Sequence, residues 1–291
     1  MMFSILNNSE LVKKFKKSDL IIKGGLFLLF FLILVAIFAP ILAPYDPNST
    51  SLLARLRPPL GFEKFKVGFL LGTDELGRDM LSRLIYGLRF TLFIALVGSL
   101  ISMTIGTLIG VISGYVGGII DNIFMMLVDI QIAFPGTLMA LLLISVFGSS
   151  ITILIFVVGI SGWENYARVV RGQVIQIKNE PYVSAAQVAG AKPRRIILLH
   201  MLPNIASPII VLYTFGISNI ILLESSLSFL GLGIQPPTAT LGSMTGLGRD
   251  FLSSYPHICV LPAIVILLIA LVFLLLGDWL RDSLDVRLQR K

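Results

Sequence analysis

The sequence predicts an all-α, polytopic membrane protein of about six transmembrane helices, with a helical polar loop between the fourth and fifth. Three observations lead there. Of 291 residues, 56% are apolar and only 13% charged, with a mean hydropathy of +0.92. A soluble domain runs at about 45–50% apolar and about 25% charged, so this chain lacks the polar surface that water requires and takes the bilayer as its solvent. Apolar runs of about 20 residues, enough for one crossing each, recur along the chain. The polar stretches between them collect the prolines, glycines and charges.

Taken in order, residues 1–19 form an N-terminal segment with the basic stretch Lys13-Lys14-Phe15-Lys16-Lys17. The first span, 20–43, follows and stops at Pro40 and Pro44. It is too long for a signal-peptide core and carries no small-residue cleavage site, so it reads as a retained span. Residues 44–89 make a polar segment with Pro47, Pro58, Pro59 and the charged run 72–79. A core of further spans occupies 90–277: a second at 90–113, a third at 121–147 broken by Pro135-Gly136, a fourth at 151–166, a fifth at 205–230 and a sixth at 258–276. Within that core, 167–204 is polar and basic, and 231–256 is rich in Gly and Pro. A charged tail covers 278–291.

Six spans place both termini on one side. Fifteen of the 23 Lys and Arg fall in 1–23, 167–204 and 278–291, and eight fall in 44–89 and 231–256. The cation-rich side is the cytoplasmic one, which puts the termini and the 167–204 loop in the cytoplasm and 44–89 outside. The net charge of +7 sits in loops beside apolar spans, a pattern that suits lipid headgroups and excludes nucleic acid as a partner.

Along the second span Gly98, Ser102, Gly106, Gly110, Gly114 and Gly118 recur every four residues, on one helix face. Such a stripe admits another helix backbone, from this chain or from another subunit. Asp129 and Glu224 lie inside apolar runs, where acids are costly and face water or the bundle interior. Each is a candidate to line a solute path or to serve as a hydrogen-bonded structural acid. Pro135 is a third pore candidate, since broken backbone at membrane depth needs protein or a cavity around it; a plain kink is the alternative.

Reaction chemistry is absent from the sequence. There is no Gly-x-x-x-x-Gly-Lys-Ser/Thr phosphate loop and no Gly-x-Ser-x-Gly elbow. One Cys, Cys259, and two His, His200 and His257, exclude a disulfide within the chain and give no metal-ligand spacing. A conduit is left, with an ATPase-independent transporter or channel and an intramembrane enzyme as rivals.

The 167–204 loop is the informative stretch. Asn179 can cap a helix that starts at Pro181, and Ser184, Ala185, Ala186 and Ala189 give it a small face. Gly190 suits a left-handed stop, with Lys192-Pro193 just beyond. A second helix from Pro193 runs into a break at Leu202-Pro203-Asn204. A short, small-faced helix between two spans fits a groove on a partner.

Ala185-Ala186, Gly190 and Leu202-Pro203 resemble the EAA loop of bacterial ABC importer permeases, with Ser184 where that loop often has glutamate. Further stretches resemble the C-type permease subunit of the dipeptide/oligopeptide/nickel branch: Leu71 to Asp79, Gly114 to Gly118, Phe134-Pro135, Tyr166 to Gln173, Glu224 to Gly233 and Gly277 to Asp285. The resemblance spans about 20–290 and implies the type I importer permease fold in the bacterial inner membrane. It implies a heterodimer with a homologous permease and two ATPase subunits that bind the ATP, since this chain needs no cofactor of its own. It further implies an external solute-binding protein, and peptides as the solute, with nickel or another small solute as the alternative. Ser184, Ala185, Ala186, Gly190, Leu202 and Pro203 would be the ATPase-coupling residues.

Overall fold

The computed structural model describes residues 19–284. The basic stretch 13–17 and the charged residues 285–291 lie outside the described residues. Among the described residues the secondary structure is helical, apart from an isolated bridge between Thr73 and Asp79. In chain order the helices are α1 (Leu20–Ile37), α2 (Ala39–Leu42), α3 (Met80–Val116), α4 (Gly118–Ala133), α5 (Gly136–Phe147) and α6 (Ile151–Ile160). They continue with α7 (Trp163–Lys178), α8 (Pro181–Val188), α9 (Pro193–Ile196), α10 (Leu202–Phe229), α11 (Leu241–Gly248) and α12 (His257–Leu284).

Five helices are long and apolar enough to cross a membrane, and up to six if α4 and α5, bent by 88°, count as one crossing. The packing supports the sixth. Gly98 of α3 faces Val158, Gly106 faces Tyr166, Gly110 faces Val170 and Gly114 faces Val174. Numbers rise together on both sides, so α3 and α6–α7 run parallel. The chain between them must therefore return along the bundle, and α4–α5 is the segment that does so.

The stripe settles as an internal seam. A Cβ on Gly106 would come within 2.6 Å of the Tyr166 Cβ, and one on Gly110 within 2.6 Å of the Ala167 carbonyl oxygen. Only glycine lets the two backbones meet at that distance. Ser102 replaces glycine where α6 breaks from α7: its hydroxyl lies 2.7 Å from the Gly159 carbonyl and 2.9 Å from that of Ser161, oxygens freed by the break. Gly118 departs from the expectation. It begins α4 at φ +61 and has nothing near its Cβ position, because α3 has already ended at Gly117.

Four boundaries differ from the sequence reading. The sixth span, expected to end at 276, continues as α12 through Asp278 and Arg281 to Leu284, so the start of the expected tail is helical. The helix expected to start at 90 starts at Met80, because Asp79 accepts from the Ser82 amide at 2.8 Å and caps it there. The helix expected to end at 166 continues as α7 to Lys178, so the first third of the polar 167–204 loop is part of a crossing helix. Its apolar residues Val170, Val174 and Ile177 are buried, with Val111 of α3 in the same cluster, while its charges point elsewhere. Finally, no break occurs at Leu202-Pro203. One wide π turn, Ile197–Met201, runs directly into α10. Pro203 sits in the first turn of α10, where a missing N–H costs least.

The main apolar core joins α1, α3, α5, α6 and α10 to α12. A smaller one at the far end of α3 holds Val111, Val170, Val174, Ile177, Val183, Ile196, Met201 and Ile205. Residues 44–79 fold over the opposite end.

Candidate functional site: the α8 elbow and the inner face

Helix α8 is short and strongly positioned. Pro181 occupies its first turn, as expected, but Asn179 does not cap it. The Asn179 amide nitrogen turns back to the Ile175 carbonyl at 3.1 Å, and Glu180 stands at the cap position without a side-chain bond. The stop is as the sequence suggests. Gly190, at φ +79, donates to the Gln187 carbonyl at 2.9 Å, and Ala191 donates to that of Ala186 at 3.0 Å. These two bonds make the Schellman closure, whose C′ residue sits in the left-handed region that favours glycine.

One residue of α8 points inward. Val183 is fully buried in the small core with Val170, Val174 and Ile196, so it fastens α8 to α7 and to the start of α10. The other residues face out: Ser184, Ala185 and Gly190 are exposed and Ala186 half-buried. Leu202 and Pro203 are half-buried at the start of α10, and Leu202 packs on the small core that also holds Val183. The structure thus separates the six coupling candidates into an outward set and a supporting pair. The sequence reading overlooked Val188, which is 91% exposed at the tip of α8. A valine left in water one turn beyond Ser184 is an exposed apolar knob. Tyr182, at the start of α8, is exposed and takes a 3.3 Å bond from the Asn204 amide. Burial first, and the Glu180 charge second, push its phenol up from the ordinary value.

The three pore candidates have different surroundings. Glu224 is 1% exposed: one carboxyl oxygen accepts from Ser228 at 2.8 Å and Thr240 at 2.9 Å, and the other is buried without a partner. Thr240 also caps α11. The structural role therefore fits Glu224: it fastens the 230–240 connection onto α10 and is enclosed by this chain rather than open to a path. Pro135 stands at the 88° elbow between α4 and α5, with Phe134 and Gly136 exposed beside it. Asp129 is exposed and pairs with Arg168 of α7 at 2.7 Å. Nearer the α8 end, Arg171 grips Asp121 of α4 through two contacts, 2.5 and 2.6 Å, and the Ser113 hydroxyl also donates to Asp121. Two arginines on α7 thus meet α4, Arg171 as a fork and Arg168 through one contact.

At the other end, the charged run 72–79 is a buried ionic knot. Arg78 meets Asp74 at 2.6 Å and Glu75 at 2.8 Å, while Arg83 of α3 reaches Asp74 at 3.2 Å and the Pro47 carbonyl at 3.2 Å. This fixes the 44–79 segment onto α3. Beside it, Arg57, Glu63, Lys64, Tyr255 and His257 help line a cavity of about 730 Å³.

Two family models match the chain: the binding-protein-dependent transport system inner membrane component over residues 106–290, and the N-terminal TM domain of oligopeptide transport permease C over residues 10–59. Among relatives, a dipeptide transport system permease protein of Haemophilus influenzae is 40% identical over 91% of this chain and 90% of its own length. An oligopeptide transport system permease protein of Bacillus subtilis is 39% identical over 94% and 88%. A glutathione transport system permease protein of Shigella flexneri is 39% identical over 96% and 90%. Among solved structures, the inward-facing MetNI methionine ABC transporter matches with a TM-score of 0.56 at 19% identity, over 71% of this chain and 98% of that one, and shares the fold. The chain belongs to the inner-membrane component family of binding-protein-dependent transport systems, the permease subunits of ABC importers.

Proposed function

We propose that this permease forms one half of the pore of a peptide importer, paired with a homologous permease and driven by two ATPase subunits. The observation that carries the coupling is α8. It is seated by Val183, stopped by Gly190 and turned outward with Ser184, Ala185 and Val188, so it suits insertion into a groove on an ATPase subunit. Motion received there would pass through the small core to α7 and α10, and through Arg171–Asp121 to α4. Leu202, packed on the same small core, would carry that motion into α10, with Pro203 beside it in the first turn.

The cation count supports α8 and both termini in the cytoplasm and the segment read as 44–89, of which 44–79 precede α3, outside. The knotted external segment and its 730 Å³ cavity then face a solute-binding protein. Relatives named for dipeptide, oligopeptide and glutathione transport all carry solutes with peptide character, which favours peptides over nickel here. The test is reconstitution of this chain with its partner permease, ATPases and binding protein, followed by uptake of alanyl-alanine. Uptake that needs ATP, the binding protein and a co-purifying ATPase is expected. Uptake by this chain alone, independent of ATP, would establish a secondary transporter or channel instead.

A further inference from the structure

Two ion pairs join α4 to α7, and they are built differently. Asp121–Arg171 is fork on fork and sheltered, with side chains 13% and 33% exposed. Asp129–Arg168 rests on one Nη2–Oδ1 contact at 2.7 Å, with side chains 69% and 54% exposed. That single contact leaves the second Asp129 oxygen and most Arg168 N–H groups unused. Arg168 is three residues from Arg171 toward the start of α7, about one helical turn farther from α8; it lies in the Ile151–Lys178 segment, which is apolar enough to cross a membrane, and Asp129 lies in α4, which passes that test together with α5. Open charges at such a position face water or the bundle interior rather than hydrocarbon. A third group stands one turn back along α7. Glu164 takes a 3.2 Å bond from the Asn165 amide on one oxygen, and its other oxygen is enclosed with no partner.

We propose that Arg168 and Asp129, with Glu164 behind them, are a reception site in the translocation path for a solute that carries both a carboxylate and an ammonium. The guanidinium offers the planar fork that matches a carboxylate. Asp129 offers the acceptor that an ammonium needs, while Glu164 stands one turn back on the arginine's helix, one oxygen bonded to Asn165 and the other enclosed. A zwitterion entering the site exchanges one exposed internal pair for two pairs with the solute. The Arg168–Asp129 pair is balanced when the site is empty, and each member has a partner of opposite charge when a zwitterion fills it. A solute lacking either end leaves one member of the pair without its partner. The inference rests on the peptide-import reading, and it narrows the solute to peptides with free termini.

The experiment separates the two. Alanyl-alanine uptake by the full reconstituted system is measured first; no uptake removes the peptide reading and this proposal with it. Binding is then followed by saturation-transfer NMR on the purified permease–ATPase complex without binding protein, so that the binding protein's own selectivity does not enter. The ligands are alanyl-alanine, alanyl-alaninamide and N-acetyl-alanyl-alanine, against wild type, Arg168→Gln and Asp129→Asn. Arg168→Gln should weaken alanyl-alanine at least tenfold yet leave the amide unchanged. Asp129→Asn should weaken alanyl-alanine but not the acetylated peptide. ATPase recovery equal to wild type shows that each variant assembles; if Arg168→Gln fails, Arg168→Lys, which keeps the charge but not the fork, takes its place, and if Asp129→Asn fails, Asp129→Ser does. Unchanged affinities, or equal losses for all three ligands, would overturn the proposal and leave the pair as a structural tie.

Discussion

The glycine seam between α3 and α7 makes a quantitative demand on a single methyl group. In Gly110→Ala the added Cβ would lie 2.6 Å from the Ala167 carbonyl oxygen, 2.8 Å from the Val170 Cβ and 3.0 Å from the Arg171 nitrogen, where ordinary contact begins at 3.4 Å. No side-chain rotation relieves this, because two of the three atoms are backbone. The helices must part by about 0.8 Å, and Gly106 and Gly114 on either side lose their close contacts in the process. Overpacking of this kind costs about 1–3 kcal/mol, and the better helix propensity of alanine returns up to about 1 kcal/mol. Gly172→Ala is the control: it lies on the exposed side of α7 with nothing within 4 Å, so only the propensity gain applies. The propensity gain is common to both variants and cancels, so they should differ by the overpacking alone, about 1–3 kcal/mol, roughly 5- to 150-fold in the folding equilibrium. Heat inactivation of the purified assembly orders them: Gly110→Ala below wild type, Gly172→Ala at or above it. A Gly110→Ala assembly as heat-resistant as wild type would refute the seam as the element that fixes α7.

Three further outcomes follow from the same geometry. Gly190→Asp forces a branched residue to φ +79 at the outward end of α8; the chain should still insert, while uptake collapses and ATPase recovery falls, and wild-type values for both would end the coupling role of α8. Asp74→Asn leaves Arg78 and Arg83 buried with their shared partner neutralised, a loss of about 3–5 kcal/mol visible as reduced assembly, and undiminished heat resistance would count against the knot. Glu224→Leu strands the hydroxyl donors of Ser228 and Thr240 at about 1–3 kcal/mol, whereas Glu224→Gln keeps an acceptor and should stay near wild type; a Gln variant that loses uptake while remaining stable would instead place this acid in the solute path.

What the sequence made legible was what depends on spacing. The four-residue stripe, the Pro135 break and the Gly190 stop each announce themselves by position, and the structure uses all three. What stayed hidden depends on contacts between distant residues. Residues 80–89 read as polar because of Arg83 and Arg89, yet Arg83 is neutralised by Asp74, nine residues away, and the helix runs through it. Residues 167–178 read as a loop because hydropathy averages over faces: the valines bury toward α3 while Arg168 and Arg171 turn to acids on α4. The expected break at Leu202 was a π turn, which has no sequence signature of its own. Arg168 was missed for the same reason as Arg83, since its partner Asp129 lies 39 residues away. Val188 was missed because a single valine among alanines signals nothing until its exposure is known.

The central claim is that α8 is the point at which ATPase motion enters this permease, and Val188 tests it most directly. With Cys259 replaced by serine, Val188→Cys leaves one thiol in the chain, at a position 91% exposed in the isolated subunit. In the assembled, transport-active complex that thiol should be shielded from a water-soluble maleimide, and a short bifunctional crosslinker should join it to an ATPase subunit, identified by peptide mass. Full maleimide labelling in the active assembly with no ATPase adduct would contradict the account.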